Sequence, residues 1–207
     1  MCLNLCNSLY LCKKSFKLQL ITTMAALWLA GCASSPETPV PVVAPKPAVV
    51  VTEEMQQLYG NALQAFNLER LGQAEVYLQQ LIDIEPNLSA PYVTRGRIAE
   101  MKGDKESAKL LYRHALEVDA GNHMAMHQLA MLAREEGEFE RARELYESAI
   151  ALKPEEPLYH RNYAILLDLY LGDLENALKH YELYQKIRKQ PDNQVALWVV
   201  DLKRRIQ

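Results

Sequence analysis

The chain has 207 residues, of which 49% are hydrophobic and 24% are charged, and its formal net charge at pH 7 is −3. From Thr52 onward it contains 19 basic and 25 acidic residues, so this part has no cationic excess with which to bind a nucleic-acid backbone. All four cysteines lie at or before Cys32, which leaves the rest of the chain without a disulfide, a thiolate nucleophile or a thiolate metal site.

Residues 1–31 have the pattern of a secretory signal. Lys13, Lys14 and Lys17 precede an apolar run that is short for a membrane span and ends in small residues. The run closes on Leu29-Ala30-Gly31-Cys32, which resembles a bacterial lipobox. The resemblance implies cleavage before Cys32 and lipid attachment to that cysteine. Because no aspartate follows Cys32, it also implies the periplasmic face of a Gram-negative outer membrane. The alternative is an uncleaved anchor in which Cys32 is incidental.

Residues 32–51 form a linker after the proposed lipid site. Half of the chain's ten prolines lie here, among valine, alanine and serine. Such a composition favours an extended, polyproline-like segment without a core. We interpret it as a spacer between a membrane and a folded domain, with a proline-rich recognition ligand as the alternative.

Residues 52–207 are predicted to be helical and repetitive. Thr52 precedes two glutamates, which is typical of a helix start. Small residues recur 34 positions apart at Ala62, Gly96, Ala130 and Ala164, and a second series of alanines recurs at Ala74, Ala108, Ala142 and Ala177, the last interval being 35. Glycines that would separate paired helices are Gly72, Gly103, Gly137 and Gly172, although Glu69 occupies the position expected for the first of them. Asp192 is expected to cap a last helix over about 193–206.

This spacing resembles the tetratricopeptide repeat (TPR), a helix–turn–helix unit of about 34 residues. The unit from His123 to Pro154 carries the resemblance best, with Leu129, Ala130, Ala142 and Tyr146 at consensus positions. The resemblance implies an all-α TPR solenoid with repeats at about 55–88, 89–122, 123–156 and 157–190. A capping helix at 192–207 would cover the apolar face of the last repeat, with Trp198 in its core.

In TPR arrays the first helix of each pair lines a concave surface, so the resemblance also implies a partner-binding groove. We define the groove by the residues at the lining positions: Tyr59, Leu63, Phe66, Asn67, Val93, Arg97, Glu100, Met101, Met124, His127, Met131, Arg134, Arg161, Ile165 and Asp168, with Leu158 at a further lining position. Apolar and methionine-rich surface adapts to a peptide or helix, and the arginines suit carboxylates. The alternative is that some of these side chains, Met101 and Leu158 above all, pack against the second helices.

No catalytic residue, metal site or cofactor is predicted. The chain lacks a P-loop, a Gly-x-Ser-x-Gly elbow and a dinucleotide fingerprint. His123 and His127 stand four apart, as two metal ligands on one helix face would, but the glutamate of a His-Glu-x-x-His site is missing. The acidic residues Glu135, Glu136, Glu138 and Glu140 lack the alternating ligands of a calcium loop and the glycine at its sixth position, so we interpret them as a solvated edge.

Two exported bacterial families share features with this chain. The stretch 162–174, with 195–198 and 201–205, resembles small TPR proteins that accompany TonB/ExbB/ExbD-type energy-transducing systems. Asn162-Tyr163 and the following Ala-Ile-Leu-Leu resemble an outer-membrane lipoprotein family that assists type IV pilus biogenesis. Both resemblances imply a lipid-anchored periplasmic adaptor for a protein partner in an envelope complex. A peptidoglycan-acting enzyme and a passive spacer are the competing hypotheses.

Overall fold

The computed structural model describes residues 49–207, so the signal, Cys32 and most of the linker lie outside the described residues. Within this range the chain forms nine α-helices and no strand, as predicted. The helices are α1 (Glu53–Asn67), α2 (Leu71–Ile84), α3 (Ser89–Met101), α4 (Lys105–Val118), α5 (His123–Glu135), α6 (Phe139–Leu152), α7 (Pro157–Leu166), α8 (Leu174–Ile187) and α9 (Asn193–Ile206), with a π-helical turn at Leu167–Leu171 between α7 and α8.

Side-chain caps fix where several helices begin. The hydroxyl of Thr52 accepts a hydrogen bond from the amide of Met55, and Asp192 accepts from the amides of Gln194 and Val195. Such caps satisfy amides that have no partner inside the helix. Both predicted caps are therefore confirmed, and α9 begins and ends where the sequence placed it.

The turn inside each helix pair needs one residue with positive φ. Gly103, Gly137 and Gly172 supply it in the last three pairs, with φ between 69° and 82°. In the first pair Glu69 takes this conformation, at φ 58°. The prediction that Gly72 forms a displaced first turn is wrong, because Gly72 lies inside α2. The distance along the chain from the helix crossing determines where the chain turns. The position of the nearest glycine does not.

Small side chains lie where the paired helices cross. Ala62 and Ala74 of the first pair are fully buried, as are Ala130 and Ala142 of the third and Ala164 and Ala177 of the fourth. Gly96 takes this position in the second pair, where a Cβ would lie 2.4 Å from Cε1 of Tyr112. The two series of small residues recognised in the sequence are thus buried inside the helix pairs.

The π-helical turn accounts for the one interval of 35. The fourth pair has one residue more than the third between its small first-helix residue and its glycine turn. Leu167–Leu171 absorb this extra residue in a wider turn, so that Gly172 and α8 keep the relationship seen in the other pairs. The turn leaves Leu169 66% exposed and Tyr170 47% exposed.

The last helix closes the apolar face of the fourth pair. Val195 and Leu202 of α9 are fully buried, and Trp198 packs on the ring of Tyr181 at 5.6 Å between centroids. The predicted capping helix is confirmed. None of the helices in residues 49–207 is both long enough and apolar enough to cross a bilayer.

Candidate partner-binding groove

Polar contacts join two pairs of first helices. The hydroxyls of Tyr59 and Thr94 lie 3.1 Å apart, which joins α1 to α3. Nδ2 of Asn162 donates to Nε2 of His127 over 2.9 Å, which joins α5 to α7. Tyr59 and His127 of the groove each take part in one of these contacts.

Burial divides the predicted groove residues into three groups. Exposed members are Asn67, Arg97, Met101, Met124 and Leu158; half-buried members are Tyr59, Leu63, Glu100, Met131, Arg134, Arg161, Ile165 and Asp168; buried members are Phe66, Val93 and His127. Met101 and Leu158 are 52% and 48% exposed, so the second helices do not cover them. The three buried side chains shape the groove more than they offer surface to a partner.

His127 is held in its neutral form at the centre of the groove. Its ring stacks on Tyr159 at 4.5 Å between centroids, and burial together with the nearby Arg134 lowers its pKa to about 4. Because Nε2 accepts from Asn162, the ring proton lies on Nδ1. Nδ1 of His123 lies 2.7 Å from the hydroxyl of Tyr159. The two histidines therefore have different hydrogen-bond partners, Asn162 for His127 and Tyr159 for His123.

The two carboxylates of the groove, Glu100 and Asp168, already have a hydrogen-bond or ion-pair partner. Glu100 accepts a hydrogen bond from the hydroxyl of Tyr112, and burial raises the pKa of Glu100 above its ordinary value. Asp168, whose side chain is only 8% exposed, pairs with Arg205 of α9 at 2.7 Å. Neither carboxylate forms an ion pair with Arg97, Arg134 or Arg161.

The groove arginines have no carboxylate partner among residues 49–207. Arg97 lies over the ring of Phe66 at 4.5 Å, and Arg161 lies over the ring of Trp198 at 5.8 Å. Nε of Arg161 and one terminal nitrogen of Arg134 are covered without a hydrogen-bond acceptor in the described part of the chain. Three arginines of the groove, Arg97, Arg134 and Arg161, thus have no ion-pair partner in the described part of this acidic domain.

Sequence reasoning missed a pocket at the end of the groove. It has a volume of about 270 Å³ and is lined by Ile165, Asp168, Leu169, Tyr181, Trp198, Asp201 and Arg205. Trp198 is half-buried: it packs against the core of the last pair, as predicted, and also forms one wall of the pocket. The interval of 35 was the available signal, because the extra residue creates the turn that carries Leu169.

A second histidine pair lies in α7 and α8, outside the groove residues. Nδ1 of His160 lies 2.9 Å from Nδ1 of His180, and Nε2 of His160 lies 2.8 Å from the carbonyl oxygen of Pro154. Because a carbonyl only accepts, His160 donates from Nε2 and accepts at Nδ1 from His180. No group of three or more potential metal ligands gathers anywhere in residues 49–207.

Family models and solved structures agree on the repeat. Two models described as tetratricopeptide repeat match residues 90–122 and 123–166. Human tetratricopeptide repeat protein 7A is 29% identical over 97 residues, which are 46% of this chain but only 11% of that protein.

Among solved structures, pilF of Pseudomonas aeruginosa has a TM-score of 0.65 at 20% identity, covering 72% of this chain and 68% of its own. MamA of Desulfovibrio magneticus RS-1 has a TM-score of 0.59 at 13% identity, covering 75% and 87%. At these identities the similarity shows the fold alone. The described part of the chain is therefore an all-α solenoid built from tetratricopeptide repeats.

Proposed function

We propose that this protein is a lipid-anchored adaptor of the bacterial envelope whose groove binds a segment of a protein partner. One observation carries the proposal: exposed apolar side chains and unpaired arginines lie together along the first helices. Met101, Met124 and Leu158 are each at least 41% exposed, while Arg97, Arg134 and Arg161 lack a carboxylate partner within residues 49–207. Such a surface suits an extended peptide or helix that brings its own carboxylates.

The proposed mechanism is recruitment without catalysis. Lipid on Cys32 would fix the protein to a membrane. The nineteen residues from 33 to 51, as a polyproline-like segment at ~3.1 Å per residue, would extend roughly 60 Å and give the groove reach into the periplasm. The groove would then supply specificity and help to assemble or stabilise an envelope complex.

A TonB-type energy-transducing system is the favoured setting, and type IV pilus biogenesis is the alternative. The favoured setting rests on the resemblance of 162–174, 195–198 and 201–205, and the alternative on the resemblance at 162–167. The likeness to pilF, at 20% identity, does not decide between them.

Affinity capture from native envelopes tests the groove. The intact chain is compared with an Arg97→Glu/Arg161→Glu variant and with a control, Arg113→Glu/Arg204→Glu, that reverses two exposed arginines outside the groove residues. All three proteins must first give matching helical circular dichroism. We expect one set of partners to be lost from the groove variant only. Identical sets from all three proteins would overturn the groove assignment, and no partners at all would favour the spacer or the enzyme.

The lipid anchor is tested separately. Cells expressing the intact chain or Cys32→Ser are fed labelled palmitate and separated into membrane and soluble fractions. We expect label only on the intact chain, and only that chain in the outer membrane. An intact chain without label would show that the resemblance to a lipobox is misleading.

A further inference from the structure

We propose that the end of the groove formed by α7, the π-helical turn and α9 binds an acidic segment carrying a bulky apolar residue beside a carboxylate. This inference rests on the proposed function and specifies the chemistry of the partner. Arg134 and Arg161 would bind the carboxylate. The 270 Å³ pocket beside them would hold the apolar side chain.

Two arginines at this end of the groove, Arg134 and Arg161, have no ion-pair partner within residues 49–207. Arg161 lies over the ring of Trp198 at 5.8 Å, and Trp198, Asp168, Asp201 and Arg205 line the same pocket. Asp168 and Asp201 both pair with Arg205, at 2.7 and 3.7 Å, and neither forms an ion pair with Arg161 or Arg134 in the described chain. Arginine binds carboxylates with two parallel hydrogen bonds, and its guanidinium cannot lose its charge. An incoming carboxylate is the complement that this site lacks.

The shape and composition of the pocket are the second argument. Ile165, Leu169, Tyr181 and Trp198 give it apolar walls, while Asp168, Asp201 and Arg205 form polar parts of its lining. Arg161 and Ile165 stand four residues apart on α7, about 6 Å along the helix axis and on the same face. The cationic site and the apolar pocket are therefore neighbours, as a carboxylate and a bulky side chain in one short segment require.

Residues of α2, α3 and α4 line a second pocket. The pocket of about 460 Å³ lined by Glu75, Arg95, Lys102, Leu110 and others is larger. Lys102 pairs there with Glu75 at 2.8 Å, Arg95 donates to the neutral Gln79 over 3.1 Å, and the lining has as many acidic residues, Glu75 and Asp104, as basic ones. That lining therefore has no net charge that would specify a ligand. The groove end combines an unmet charge with an apolar pocket.

A displayed library of random twelve-residue peptides is the probe, panned against the full chain in detergent. We expect the selected peptides to be enriched in Asp or Glu within a few residues of Phe, Trp, Tyr or Leu. Selected peptides that are basic, or that show no such pairing, would overturn the proposal. So would a selection with no enrichment at all.

Selected peptides are then titrated by tryptophan fluorescence against the full chain carrying Trp28→Phe, which leaves Trp198 as the only tryptophan. In this background Arg161→Gln is expected to weaken binding at least about tenfold, because a charge-assisted bidentate contact is lost. Arg113→Gln, the same change at an exposed arginine of α4, serves as the control and should change nothing. Equal binding by both variants would overturn the carboxylate site.

The pocket is tested without emptying the core. Leu169→Ser alters a wall residue that is 66% exposed, and Leu110→Ser alters a residue of α4 that is 65% exposed. We expect only Leu169→Ser to weaken binding, about fivefold or more, and to remove the preference for the bulky apolar residue.

Two outcomes distinguish this inference from the proposed function. If partner capture from envelopes depends on Arg97 and Arg161 but acidic peptides do not bind, the adaptor function is supported and the acidic partner class is wrong. If capture does not depend on these arginines and acidic peptides also fail to bind, the adaptor function is wrong as well.

Discussion

Glu69 occupies a backbone conformation that glycine adopts at lower free energy. Its φ of 58° is in the left-handed region, whereas the three later pairs place glycine at this turn. We expect Glu69→Gly to raise the free energy of unfolding by about 1 kcal/mol, because the steric penalty of the side chain is removed. Urea unfolding followed by circular dichroism measures this as a higher midpoint with an unchanged slope. Gly137→Glu, the reverse change in the third pair, should lower the midpoint. A lower midpoint for Glu69→Gly would contradict the strain argument.

Gly96 is small because the ring of Tyr112 lies directly against it. An added Cβ would come within 2.4 Å of Cε1, and Tyr112 is fully buried and unable to move away freely. We expect Gly96→Ala to cost about 1–3 kcal/mol of stability through over-packing. Gly60→Ala is the matched control, because that helical glycine has nothing within 4 Å of an added Cβ. It should stabilise the protein slightly. Equal effects of the two variants in urea unfolding would disprove the contact.

The His160–His180 pair makes the folded state sensitive to acid. Burial and the neighbouring His160 lower the pKa of His180 to about 4, while an unfolded histidine titrates near 6.5. The folded state therefore binds fewer protons between pH 6.5 and 4, and its stability falls as pH falls through that window. One such group contributes a slope of up to about 1.4 kcal/mol per pH unit. We expect His180→Asn, which keeps a donor near the Nδ1 position, to reduce the slope measured by urea unfolding at pH 7, 6 and 5. His114→Asn, at an exposed histidine of α4, should leave it unchanged.

At the scale of single elements, the π-helical turn is an insertion that the fold tolerates at one place. Deleting Leu169 would restore an interval of 34, so we expect an α-helical connection, unchanged circular dichroism and a stability loss of less than about 1 kcal/mol. Deleting Glu135 from α5, 34 residues earlier, would make that helix one residue too short and should cost several times more. Similar losses from the two deletions would show that the extra residue is not accommodated by the turn.

The sequence predicted the elements well because their signals are local. Alanine spacing located the helix crossings, Thr52 and Asp192 located two helix starts, and Gly137 located a turn. The sequence predicted the end of the groove poorly, because that site depends on contacts between different helix pairs and the capping helix. The Asp168–Arg205 ion pair spans 37 residues, and the position of Trp198 at a pocket wall depends on how α9 packs. Neither follows from periodicity along one helix.

At the scale of the whole molecule, each repeat of a solenoid contacts only its neighbours. The free energy of unfolding of the last pair therefore depends on the helix that caps it. Leu202 of α9 is fully buried, whereas Leu197 of the same helix is 70% exposed. We expect Leu202→Ala to cost about 2–5 kcal/mol in the last pair, through lost burial and a cavity, and Leu197→Ala to cost less than about 0.5 kcal/mol.

Native-state hydrogen exchange gives the sharper measurement of the same change. In Leu202→Ala the amides of α8 and α9 should exchange faster, while those of α1 and α2 keep their protection, because no contact carries the loss directly to the first pair. The groove end should weaken with the cap, since Trp198 and Arg205 both belong to α9. Uniform loss of protection along the chain would instead mean that the four pairs and the cap unfold as one cooperative unit. Peptide binding by this variant would then report the global stability of the protein and not the local geometry of the pocket.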